Sequence, residues 1–390
     1  MTKRQSHFFQ GDLILILLLF ITVSLFSIYN AQQMEQYADN FVMKQIVFYG
    51  ASIFALIVIQ FFDLEQLYKA SLFIYAFGIL IIIALYLTPA GDFAPIRNGA
   101  KSWFVFEQIG LSLQPSEFTK IAFIVYLAAV VSKHKDKFKE STIKSDLFLL
   151  LKIVVVTGIP FGLIFVQPDL GTSLIFVFIA VVVVLLSGID WKIIATIVTG
   201  VLSLAAGAVA LILYLPELAQ AVGIKAYQMN RVLSWFDPTH QSNDTFQIDR
   251  SMQAVGSGQL TGKGIGNLQV YLPEAHSDMI FSVIGESFGF IGSAAVVFLY
   301  FFLFYKLITL GLRVHNFSVF GSFICFGYFA LLLIHTFENI GMTINVMPIT
   351  GIPLLLISYG GSAVLASVIG YALIYRVAVE NSIQNDYLFK

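Results

Sequence analysis

Two carboxylates and a histidine lie close together in the run Leu272-Pro-Glu-Ala-His-Ser-Asp278, where a long polar stretch re-enters an apolar one. A carboxylate at the mouth of a membrane helix is costly to desolvate, so its default reading is functional, in contact with a polar cavity. Asp278 is the first candidate for chemistry. Gln114-Pro-Ser-Glu-Phe-Thr-Lys120 sets Glu117 and Lys120 three residues apart, on one face of a helix that Pro115 would start. They could form a structural ion pair or line a cavity for a charged head group. In Val166-Gln-Pro-Asp-Leu-Gly171, Asp169 is placed to cap the next helix through the amides of Thr172 and Ser173. His335, Glu338 and Asn339 share a helical face by spacing. Two ligand-type side chains without a third favour a buried polar cluster over a metal site.

The stretch 256–266 is rich in glycine, but no serine or threonine follows Lys263 and no strand precedes it, which excludes a phosphate-binding nucleotide loop. It reads as a tight turn bringing amides and Lys263 to an anion, or as a flexible bend. Met347-Pro-Ile-Thr-Gly-Ile-Pro353 and Ser358-Tyr-Gly-Gly-Ser362 break a helix repeatedly. Irregular backbone at membrane depth is tolerated where it lines a cavity or is buried in protein, so this loop should wall the same site.

The elements that must position these residues follow from composition. Of 390 residues 58% are hydrophobic and 12% charged, the net charge is -1, and the one cysteine is Cys325. This is the balance of an all-α polytopic membrane protein. It offers no basic stripe for nucleic acid and no intrachain disulfide. A span needs about 20 apolar residues. By that measure ten transmembrane helices are expected, at 12–30, 43–62, 67–88, 116–132, 147–166, 170–187, 191–215, 278–305, 317–343 and 361–378. The first is too long for a cleaved signal and should remain. Lys133, Lys135, Lys137, Lys139 and Lys144 crowd one short loop, with Lys3, Arg4, Lys306 and Arg313 on the same side. That side is the cytoplasm by the positive-inside rule. Both termini are then cytoplasmic, and 1–390 reads as one membrane domain with a large extracellular loop at 216–277. Ser282, Gly285, Ser287, Gly289, Gly292 and Ser293 put small residues on the first half of the eighth span, suited to a docked partner helix or to packing within the bundle.

In order along the chain, Gln114-Pro-Ser-Glu117, Gln167-Pro-Asp-Leu-Gly171, Leu272-Pro-Glu-Ala-His-Ser-Asp278, Asn339-Ile-Gly-Met342, Pro348-Ile-Thr-Gly-Ile-Pro353 and Ser358-Tyr-Gly-Gly-Ser362 resemble the shape, elongation, division and sporulation (SEDS) family. His335-Thr-Phe-Glu-Asn-Ile-Gly-Met342 and the Pro-Ile-Thr-Gly-Ile-Pro form are similar to its RodA branch rather than the division branch, FtsW. The resemblance implies a peptidoglycan glycosyltransferase of the cytoplasmic membrane. It would polymerise lipid II, the undecaprenyl-diphosphate-linked disaccharide peptide, on the outer face during cell elongation. Its partners would be a class B penicillin-binding protein and the membrane proteins of the elongation complex. It also implies that Asp278 is catalytic and that Glu117 and Lys120 are the family's paired charges. Ser102 and Ala363 stand where many members carry Arg and Ser.

The residues suit that chemistry. Extending a glycan from a sugar diphosphate needs a base for the acceptor hydroxyl, and charge neutralisation for a leaving group that is already a good anion. Asp278 fits the base. Lys101, Lys120, Arg231, Lys263 or a divalent cation (Mg or Mn) could hold the diphosphate, and spacing leaves these open. Glu274 and His276 flank the site, with Glu274 orienting the loop or binding a cation. The alternative from another class is a lipid-linked precursor flippase, but the paired broken repeats common in transporters are not found.

Overall fold

The computed structural model describes residues 9–388 apart from 35, 37–38, 97–98, 108–109, 223, 225–228, 231, 234 and 236–242. Among them the helices are α1 (Gly11–Gln32), α2 (Phe41–Ile59), α3 (Leu64–Leu87), α4 (Pro115–Lys137), α5 (Ile143–Val166), α6 (Leu170–Leu186), α7 (Trp191–Tyr214), α8 (Pro216–Ala221), α9 (Asn243–Ser257), α10 (Ile280–Val314), α11 (Val319–Thr343) and α12 (Gly361–Leu388). Nine of these are long and apolar enough to cross a membrane, and Leu170–Leu186 is a shorter apolar helix. The ten expected spans are all helical. The expectation missed one small element, an antiparallel hairpin of β1 (Phe104–Phe106) and β2 (Leu111–Leu113).

Short polar side chains start the helices by accepting first-turn amides. Asn40 caps α2, Thr142 caps α5, Asp169 caps α6 through Thr172, and Ser318 caps α11. At Asp169 the amide of Ser173 goes to the backbone carbonyl, so one of the two expected side-chain bonds forms. The bundle has a centre and a rim. Of the apolar windows of α4, α11 and α12, 83%, 78% and 83% are buried, against 6% for α7. The residues of interest sit on the central helices. Glu117 opens α4, while Lys133, Lys135 and Lys137 end it, so the lysines mark the bundle end opposite Glu117.

The eighth span differs most from expectation. Gly289 breaks α10 with φ 64 and ψ -159, leaving a short helix over 280–288 ahead of the long one. Residues 290–314 alone rise about 37 Å, enough for a crossing. The loop before α10 closes into the break. The amides of Lys263 and Gly264 donate to the carbonyls of Glu286 and Ser287 at 3.0 and 2.9 Å, and those of Phe290 and Ile291 donate to Gln259 and Leu260 at 2.9 and 3.1 Å. Backbone groups freed by the kink are thereby satisfied inside the protein. This docking consumes four of the six small residues read as a partner surface or bundle contact, Ser282, Gly285, Ser287 and Gly289, and leaves Gly292 and Ser293 partly exposed. Gly285 packs against Val255, Ser282 bonds Ser251, and a Cβ on Gly258, Gly262 or Gly289 would overlap the facing backbone. Of the two uses the sequence left open, these four serve close contact within the chain.

Gly262 and Gly264 both have positive φ, +79 and +86, but a Cβ on Gly262 meets the Ser287 carbonyl whereas one on Gly264 meets only Asn267 Nδ2 at 3.5 Å. Gly264→Ala should therefore cost only the left-handed backbone, about 1–2 kcal/mol. Gly262→Ala should add an overpacking penalty of about 1–3 kcal/mol. Thermal unfolding of the two variants in one detergent checks the order.

Candidate active site

Four irregular or helix-opening segments meet at the bundle end that carries Asp278, and polar side chains from neighbouring helices hold them. The Ser358 hydroxyl donates to Ser277 O at 2.8 Å and accepts from Leu354 N, while Tyr359 N donates to His276 O at 2.9 Å. Gln114 N donates to the Ser362 hydroxyl at 2.9 Å, which ties the start of α4 to the start of α12. From α1, α2 and α10, Ser24, Tyr49 and Tyr300 donate to the carbonyls of Ile357, Leu356 and Leu355. The non-helical backbone of 354–358 is thus paid off by side chains from three helices.

Asp278 is partly exposed at the centre of this frame. Asn339 on α11 donates from Nδ2 to Asp278 O at 2.7 Å and to Ile352 O at 2.9 Å. A Cβ on Gly351, whose φ is +72, would stand 3.4 Å from Asp278 Oδ2, so the carboxylate lies against the 351–353 loop. One turn earlier on α11, His335 Nδ1 donates to Pro353 O at 3.0 Å, which leaves Nε2 as acceptor for Lys120 Nζ at 3.1 Å. Lys120 also donates to Glu117 Oε1 at 2.9 Å, and Glu117 and Lys120 are 4% and 1% exposed. The expected pair on one helix face is present, with His335 as a third member that spacing had grouped elsewhere. The pair is shielded from solvent, and His335 ties it to the 351–353 loop through Pro353 O.

The other sequence candidates are placed as follows. Glu274 is exposed with φ 52 and accepts from the Ser277 hydroxyl, bracing the turn before Asp278. His276 stacks on Phe41 with ring centroids 4.0 Å apart. Lys101 donates to Tyr86 O and Thr88 O at 2.8 and 2.6 Å. Arg231 lies outside the described residues. Lys263 gives its ammonium to Glu286 at 2.6 Å, which makes it an anchor of the loop before α10. Among the described residues no three His, Cys, Asp or Glu side chains gather as metal ligands. His335, Glu338 and Asn339 do not bond one another: His335 goes to Lys120 and Pro353 O, Asn339 to Asp278 O and Ile352 O, and Glu338 lines an apolar cavity.

Glu286 was missed by sequence reasoning. It is fully buried, and Oε1 accepts from Lys263 Nζ and from the amides of Gln269 and Val270. The signal was available, since a carboxylate inside an apolar run asks for a named partner. Nearby, Asn30 reaches across from α1 to accept from Gly266 N at 2.6 Å and to donate to the Ser287 hydroxyl. An apolar cavity of about 600 Å³ opens between α5, α6, α7 and α11, lined by Phe161, Phe178, Val198 and Ile334, with Glu338 its one charged lining residue.

The fold and site define a polytopic helical membrane protein with one partly exposed carboxylate on a braced loop at one end of the bundle. A family model described as cell cycle protein, covering FtsW, RodA and SpoVE, matches residues 4–383, and the chain belongs to that family. It is 30% identical over 380 residues to stage V sporulation protein E of Bacillus subtilis, covering 94% of this chain and 96% of that one. It is 35% identical over 294 residues to the probable peptidoglycan glycosyltransferase FtsW of the same organism, covering 74% and 69%. The match to the FtsW of Xanthomonas oryzae, 34% identical, takes in 73% of this chain and 55% of that longer protein. Among solved structures, a chain of a peptidoglycan synthase complex superposes with a TM-score of 0.75 at 23% identity, covering 96% and 98% of the two chains. Thermus thermophilus RodA superposes with a TM-score of 0.64 at 22% identity, covering 95% and 96%. These likenesses show the shared fold.

Two outcomes follow. Lys263→Met leaves Glu286 buried without its cation, which should cost about 3–5 kcal/mol, and adding Glu286→Leu should recover only part of it, because the amides of Gln269 and Val270 then lose their acceptor. Unfolding midpoints of the single and double variants check this. Burial lowers the pKa of His276, opposed by the charges of Glu274 and Asp39. The fold therefore favours neutral imidazole, and stability should be full above about pH 6.5 and fall as pH drops through the lower folded value. His276→Gln should flatten that acid-side loss in an unfolding series from pH 8 to 5.

Proposed function

We propose that the chain is a peptidoglycan glycosyltransferase that polymerises lipid II into glycan strands on the outer face of the cytoplasmic membrane. The observation that carries the reading is the placement of Asp278. It is a partly exposed carboxylate whose main chain is fixed by Asn339 and whose side chain lies against Gly351. Several relatives bear the name peptidoglycan glycosyltransferase, which supports the same activity. The lysines of 133–144 lie at the opposite bundle end, so the positive-inside rule sets Asp278 outside and both termini in the cytoplasm. We treat 1–390 as a single membrane domain with residues 216–277 as its extracellular loop.

In this reading Asp278 takes the proton of the acceptor hydroxyl as that oxygen attacks the anomeric carbon of the activated sugar. The bond to the diphosphate breaks and the leaving anion needs only positive charge beside it. Lys120 is the cation within reach of that frame. Glu117 and His335 take two of its three donors, and the third would serve the diphosphate once the 351–353 loop shifts. Lys101 and Lys263 are already engaged elsewhere and drop out of that role. Glu274 and His276 shape the rim of the site. A divalent cation would fit only if substrate phosphates completed its shell beside Asp278, as is usual for magnesium. The apolar cavity against α7 suits a polyprenyl tail.

We assign the role to cell elongation and shape maintenance, in the RodA branch, on the His335-Thr-Phe-Glu-Asn-Ile-Gly-Met342 and Pro348-Ile-Thr-Gly-Ile-Pro353 stretches. A class B penicillin-binding protein would cross-link the strands, with other elongation-complex membrane proteins alongside. The likeness in fold to a chain of a peptidoglycan synthase complex supports such a partner.

Asp278→Asn removes the base at nearly constant volume and should lower polymerisation by about 10²–10⁴-fold with expression and membrane insertion intact. Glu274→Gln should be milder. Rates on purified lipid II with matched amounts of folded protein decide, and a wild-type rate in Asp278→Asn would sink the mechanism.

A further inference from the structure

The geometry points to Asn339 as a positioning residue for Asp278, which we propose as the device that holds the base in register with Lys120. This rests on the glycosyltransferase reading and names a further residue of the same site. Asn339 is 0% exposed, and its one amide nitrogen donates to two carbonyls from separate segments, Asp278 O and Ile352 O. That pattern fixes the amide orientation, because a flip would set Oδ1 against two carbonyl oxygens. It leaves Oδ1 buried without a hydrogen-bond partner.

The cost of an orphaned buried acceptor offsets most of what the two hydrogen bonds gain. Stability is therefore close to balanced at this position, and what the amide supplies is a location. Four residues away on the same face of α11, His335 fixes Pro353 O and Lys120. Two rungs of one rigid helix thus hold the Asp278 backbone, both sides of the 352–353 turn and the buried cation in a single frame. A misplacement of about 1 Å costs about 10²-fold in rate, so a clamp on the backbone of the base is worth more to catalysis than to folding.

The test uses the full-length protein with purified lipid II, measuring kcat, KM and the pH–rate profile per folded molecule. Asn339→Asp is nearly isosteric, but it withdraws the two donors and adds an acidic group beside the base. The ionisable groups around Asp278 are Glu274 and His276 on its own loop, His335 and Glu338 on α11, and Glu117 and Lys120 on α4. A new carboxyl among them should raise the pKa of the base. The expected result is a kcat lower by about 10–100-fold, KM within about 2-fold, and an acid limb moved to higher pH. Asn339→Gln keeps the amide on a longer stem and should lower kcat with the limb unmoved. Tyr75→Phe, which removes a buried bond to Val156 O between α3 and α5, serves as the stability control. A merely structural Asn339 would lose folded protein in step with that control, leaving kcat per folded molecule and the acid limb at wild-type values in both Asn339 variants, and would overturn the proposal. Should the Asp variant fail to fold, the Gln variant decides alone: lower kcat at constant KM supports the role and parity overturns it. Wild-type rates in Asp278→Asn, run in the same series, would overturn the base assignment and this role with it.

Discussion

Everything at the Asp278 end depends on satisfying irregular backbone inside an apolar bundle. In hydrocarbon an unpaired N–H or C=O costs several kcal/mol, so a loop can sit at membrane depth only if protein groups take every hydrogen bond. The 347–358 stretch meets that demand with side chains from α1, α2, α10 and α11, including Ser24, Gln45, Tyr49, Tyr300, His335 and Asn339. Each bond that satisfies the backbone also fixes its position. The demand of the membrane and the demand of a preorganised site are met by the same contacts.

The kink at Gly289 is the second expression of that constraint. A helix broken near the membrane exposes amides and carbonyls, and the 259–264 segment fills them with four backbone bonds. The Lys263–Glu286 pair and Asn30 then hold that segment down. The short helix over 280–288, which follows directly on Asp278, is consequently fixed from two directions, by the docked loop and by α11. Such a site is held stiffly by the same bonds that satisfy its backbone.

What could be read in the sequence was local. Spans follow from apolar length, the Glu117–Lys120 pair follows from a three-residue helical spacing, and the Asp169 cap follows from a polar residue ahead of an apolar run. What could not be read was pairing across the chain. His335 lies 215 residues from Lys120, and Glu286 lies 23 from Lys263, distances at which helical periodicity carries no information. The small residues of 282–293 show the same limit from the other side. Their composition suits any close helix contact, and the structure fills those up to Gly289 with the chain's own loop. The family motifs named which segments belong together, but the hydrogen bonds that bring them together had to be seen.

One measurement bears on the central claim more directly than any variant. Purified wild-type protein, reconstituted in vesicles alone and with a class B penicillin-binding protein, is given lipid II in the outer-facing leaflet, and the products are followed by gel and mass spectrometry. The account predicts glycan strands, with one undecaprenyl diphosphate released for each sugar link formed. Lipid II moving between leaflets unchanged, with no strand and no free diphosphate lipid, would contradict it and make the chain a transporter of the precursor.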